Sequence, residues 1–87
     1  MAKYDPLFQF LCRAGNEPVE LGFDEIERLV GSLPVSARKH SAWWANESVW
    51  TQHVQAIAWM NAGRDVLSVD RDRGRVRFSA PTWRRGA

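Results

Sequence analysis

Glycines at positions 15, 22, 31, 63 and 74 cut this 87-residue chain into short pieces. Glycine favours the left-handed backbone that ends helices and turns hairpins, so each glycine is read as a boundary. In the first piece Asp5 is a candidate cap and Pro6 suits the first helical position. Leu7, Phe8, Leu11 and Ala14 share a face, and the spacing predicts a helix over 5–14. Val19-Glu20-Leu21 alternates apolar, polar, apolar and predicts a strand over 19–21. Phe23–Val30 gives the cleanest helical pattern, with Phe23, Ile26, Leu29 and Val30 on one face and three acidic residues in the first turn.

Beyond Leu33-Pro34 the chain re-orients. Ser36 is a candidate cap for a helix over 36–44, and a longer helix is expected over 49–62, with Trp50, Val54, Ile57 and Ala58 as its buried stripe. A closing hairpin is expected from strands 65–70 and 75–79 around the turn Arg71-Asp72-Arg73-Gly74. Val76 and Phe78 face one way there, and Arg75 and Arg77 the other. The expected core is Leu7, Phe8, Leu11, Ile26, Leu29, Val54, Ile57, Val76 and Phe78. The whole predicts an α+β, winged-helix-like domain over 1–80, with helices packed on a small antiparallel three-stranded sheet in which 19–21 pairs with the C-terminal hairpin. A basic tail over 81–87 follows, with Trp83 placed to dock. The order is that of a winged helix with one short helix added at 36–44.

The overall charge of +2 hides a split. Residues 1–33 hold three Lys/Arg against six Asp/Glu, a net −3, while residues 34–87 hold nine against four, a net +5. That asymmetry is expected of a protein with one anion-attracting face. No apolar run approaches the ~18–20 residues that span a bilayer, and the first residues lack a secretory-signal layout. A single cysteine, Cys12, makes no internal disulfide and reads as a small core side chain, which fits a cytoplasmic location. A cytoplasmic protein without membrane contact is therefore expected.

Three sets of residues stand out. Arg38, Lys39 and His40 precede Trp43, Trp44 and Asn46. Basic side chains neutralise phosphates, an exposed indole stacks on a base, and Asn pairs with an adenine edge. On a regular helix adjacent residues diverge by about 100°, so the two Trp do not share one core centre. They can equally be structural wedges, with Arg38 stacked on one of them. Gln52 and Gln55, with Thr51 and His53, lie on the helix that a winged helix places in the major groove. Arg71, Arg73, Arg75 and Arg77 load the hairpin, with Arg84 and Arg85 beyond it, as a wing that reaches the minor groove requires.

Tyr4–Phe8 together with Ser36-Ala37-Arg38-Lys39, Ala42-Trp43-Trp44-Ala45-Asn46 and Gln55-Ala56-Ile57-Ala58-Trp59 resembles a small bacterial domain family of uncharacterised function. The resemblance extends over nearly the whole chain. Two departures are Gly22, where relatives usually carry a Ser or Thr cap, and a slightly longer 47–53. The resemblance implies no activity, cofactor or site.

No catalytic or cofactor-binding constellation is present in the pattern. His40, His53 and Cys12 are too scattered for a metal site, and no glycine-rich phosphate loop occurs. The expected function is binding without catalysis, to double-stranded DNA. The alternative is a protein-interaction module for a partner or a second copy, with Trp43, Trp44, Trp59 and Trp83 as an aromatic surface.

Overall fold

The structure, a computed structural model, describes residues 3–46 and 54–82. The elements in chain order are α1 (Asp5–Arg13), β1 (Val19–Gly22), α2 (Phe23–Val30), α3 (Val35–Lys39), a 3-10 turn (Ser41–Trp44), α4 (Val54–Asn61), β2 (Val66–Asp70) and β3 (Arg75–Phe78). The three strands form one antiparallel sheet in the order β1-β3-β2. Val19 pairs with Phe78 and Leu21 with Val76, so β1 joins the hairpin as the alternation predicts. Helices pack with this sheet, which makes the domain α+β.

The sheet contributes Leu21, Val76 and Phe78 to the core, and α1 and α2 contribute Leu7, Leu11, Phe23 and Ile26. Arg75 and Arg77 stand on the opposite face of β3 from Val76 and Phe78, as period two requires. Between the pairs Val66–Phe78 and Ser68–Arg77 the ladder slips, leaving Leu67 as the extra residue of a bulge with its side chain exposed.

Five expectations need correction. Asp5 is the first helical residue of α1, the flanking position belongs to Tyr4, and the helix start carries no side-chain cap. The predicted 36–44 helix is two pieces, because His40 is extended (φ −129°, ψ 116°) and ends α3. The break lets the Trp44 indole N–H turn back to the Ala37 carbonyl at 2.8 Å. Ser36 is accordingly not its cap, since α3 starts at Val35 with Pro34 flanking it. On α4 the buried face is rotated. Val54 is 55% exposed and Ile57 half-buried, while Ala56, Ala58, Trp59 and Ala62 are buried. The large indole of Trp59 sets the face, and small alanines around it let the helix approach closely. Phe8 and Leu29, also expected in the core, are half-buried against it.

One buried charge organises the far end of the sheet. Arg64 is 1% exposed, and its guanidinium donates to the carbonyls of Leu11 (3.1 Å), Gly15 (2.8 Å), Glu17 (2.8 Å) and Ser79 (2.9 Å). These carbonyls include the C-terminal end of α1, where a cation is electrostatically favoured.

Candidate functional site

One backbone bond holds the hairpin turn against the start of α2, and a side-chain bond caps that start. The Phe23 N–H donates to the Gly74 carbonyl at 2.7 Å, and the Glu25 carboxylate accepts the Gly22 N–H at 3.0 Å. Gly74 has φ +65°, and a Cβ there would stand 3.5 Å from the Phe23 ring, so the turn lies directly on that aromatic face. Arg71, Arg73 and Arg75 are thereby set around the α2 terminus. Helix α3 brings Arg38 to the same place, its guanidinium 5.5 Å from the centre of the Phe23 ring. The Arg71 side chain donates to the Lys39 carbonyl and ties the hairpin turn to the end of α3.

The outcome is an open cleft of about 430 Å³, lined by Arg38, Arg71, Arg73 and Arg75 together with Asp24, Glu25 and Asp72. Four guanidinium groups and three carboxylates line it. The arginines are partnered. Arg38 pairs with Glu27 and, at 3.5 Å, with Asp24. Arg75 pairs with Glu20 at 3.0 Å and Glu25 at 3.7 Å, and Arg73 with Asp70 at 3.7 Å. Apart from the half-buried Glu27 these groups are solvent-exposed, and exposed pairs contribute only about 0–1 kcal/mol each.

The other candidate residues divide. Lys39 and His40 are exposed at the end of α3, beside the cleft. Arg77 is exposed on β3, paired in register with Glu20 and Ser68. Trp44 is buried, stacked between Phe23 (5.3 Å between ring centres) and Trp59 (5.8 Å). Trp43 is half-buried, edge-on to Trp44 and to Tyr4. The adjacent indoles differ in burial but stay in contact, 4.6 Å between ring centres. The Asn46 amide makes a two-way bond with the Val66 backbone, donating to its carbonyl at 2.8 Å and accepting its N–H at 2.6 Å. Asn46 thus continues the sheet edge like a short piece of strand. Gln55 is half-buried, and its amide donates to the Trp43 carbonyl at 3.4 Å. Trp50, Thr51, Gln52, His53, Trp83, Arg84 and Arg85 lie outside the described residues.

Sequence reasoning found the four arginines but missed the carboxylates that hold them. Asp24, Glu25 and Glu27 read as a helix-dipole pattern, and no periodicity links Glu27 to Arg38 eleven positions on. Arg64 was also missed as a structural centre, because a lone arginine between Gly63 and a strand carries no local signal. Among the described residues, no three His, Cys, Asp or Glu side chains gather as a metal ion needs. No helix among them is long and apolar enough to cross a membrane.

The sequence model of a family described as a domain of unknown function, DUF7662, matches residues 4–81. The chain belongs to this family. The matched segment includes every element from α1 to β3 and the whole cleft, so the arginines and their carboxylates all fall within the DUF7662 region. No curated protein and no solved structure matches the chain.

Proposed function

We propose that this DUF7662 domain binds double-stranded DNA, seating backbone phosphates at the cleft between α2, α3 and the β2–β3 turn. One observation carries the reading: Arg38, from the basic–aromatic segment, and Arg71, Arg73 and Arg75, from the hairpin, line the same open cleft. Two segments singled out separately for phosphate contact are adjacent in space. Arginine suits this task because its planar fork matches phosphate oxygens. The arrangement of α1, β1, α2, α3, α4 and a terminal hairpin, with β1 beside β3, is consistent with a winged helix carrying a short helical addition. In this proposal the hairpin is the wing. Lys39, His40 and Arg77 extend the basic surface, whereas Asn46 and Gln55 act inside the fold rather than on bases.

The interaction-module reading has less support. Trp44 and Trp59, two of its four aromatic residues, are in the core.

The test is duplex affinity measured against salt. Replacing Arg38 and Lys39 together by Ala weakens binding to every sequence and makes the slope of log K on log salt shallower by about two. A parent protein without salt-sensitive affinity for any duplex overturns the proposal.

A further inference from the structure

Oxygen atoms of the chain itself already engage the guanidinium groups of the cleft. Glu27 and Asp24 hold Arg38, Glu20 and Glu25 hold Arg75, and the Lys39 carbonyl holds Arg71. A guanidinium has five N–H donors in a fixed fork. Arg38 uses only Nη2, and Arg75 uses Nε for Glu20 with Nη1 at 3.7 Å from Glu25. Carboxylate and phosphate oxygens are recognised by the same fork. The carboxylates therefore take guanidinium donors that phosphate oxygens would use, and Asp24 and Glu20 are too exposed to matter much for stability.

Resting on the DNA-binding reading, we infer that Asp24, Glu27 and Glu20 are specificity-determining residues and that occupation of the cleft is an exchange. Phosphates take the guanidinium donors, Asp24 and Glu20 turn out to solvent, and Glu27 gives up Arg38 at Oε1 while its Oε2 keeps the Leu33 N–H. Arg38 comes from α3 and Arg75 from β3, each with its own carboxylates, so a ligand has to offer negative charge in both places. A phosphodiester backbone does this with successive phosphates. Isolated inorganic phosphate does not, and the carboxylates keep it out.

The experiment compares the parent with D24N/E27Q, which frees Arg38, and with E20Q, which leaves Arg75 only its 3.7 Å contact with Glu25. The control for D24N/E27Q is E17Q/D65N, which removes the same number of charges at exposed positions outside the cleft, and the one-charge control for E20Q is E17Q. Gln at 27 keeps an acceptor for the Leu33 N–H that Glu27 now receives at 3.2 Å. Duplex DNA affinity is read by fluorescence anisotropy, and inorganic phosphate binding by the shift in Tm. D24N/E27Q is expected to bind duplex about two- to thirtyfold more tightly than the control, from two surface pairs released. It is also expected to gain a phosphate-dependent Tm shift that the parent lacks. If the parent binds DNA and neither D24N/E27Q nor E20Q exceeds its charge-matched control, the exchange is overturned and the DNA reading stands. If only the charge-neutralised variants bind, the exchange stands and the parent's DNA binding falls. If no variant binds DNA or phosphate, both fall.

Discussion

Tyr4 shows how one side chain ties burial to pH. Its phenol is buried beside Trp43, and burial raises its pKa above the usual 10.0 because the charged form is poorly solvated there. Above pH 10 the unfolded chain loses this proton before the folded one does. The stabilisation from a neutral Tyr4 is therefore complete below the ordinary phenol pKa and is lost as pH rises towards the folded value. Tm measured from pH 8 to pH 11 should fall at the alkaline end. Tyr4→Phe should flatten that decline, and an unchanged decline would assign it elsewhere. None of this was legible in the sequence, where Tyr4 marked a family resemblance and had no assigned environment. Residues with one dominant local role were legible: Val76 and Phe78 are buried and Arg75 and Arg77 face away, because alternation on a strand leaves no other choice.

At the level of elements, every predicted strand exists and pairs as expected, since glycines bound the segments and apolar alternation fixes their faces. The 36–44 helix is the informative failure. Local pattern favoured one helix, but a single helix would send Trp43 and Trp44 in diverging directions without satisfying either. Breaking at His40 places Trp44 under α2 and supplies its N–H to Ala37. Trp44→Phe should therefore cost more than loss of ring volume alone, adding about 1–3 kcal/mol for the buried Ala37 carbonyl left without its donor. Trp43→Phe removes no such bond, and equal effects of the two on urea unfolding would contradict this account. The α4 face was misread for a related reason: periodicity alone does not say which of two apolar stripes a dominant Trp will claim. The cleft was legible only in its ingredients. Its assembly depends on Gly74 lying against Phe23, a long-range contact that no local spacing encodes.

Across the whole molecule, Arg64 and the β1–β3 ladder connect parts distant in sequence. Arg64→Met would leave the carbonyls of Leu11, Gly15, Glu17 and Ser79 without their shared donor, and a loss of about 3–5 kcal/mol is expected in chemical denaturation. Arg64→Lys should rescue little, because one compact ammonium lacks the spread of a guanidinium fork. A loss below about 1 kcal/mol for Arg64→Met would show the bonds to be replaceable by water.

The ladder that joins Val19 to Phe78 also bears on synthesis. During translation β1 emerges early, yet its partner strand is made only after three helices and β2 have followed it. Until residue 78 leaves the ribosome, the nascent chain has Leu21 on an unpaired strand edge and Phe23 without the Gly74 turn above it. Non-local pairing of this kind is slow to close and leaves apolar edges exposed meanwhile. A ribosome stalled anywhere before β3 therefore holds a chain that cannot complete this sheet, because β3 is its central strand.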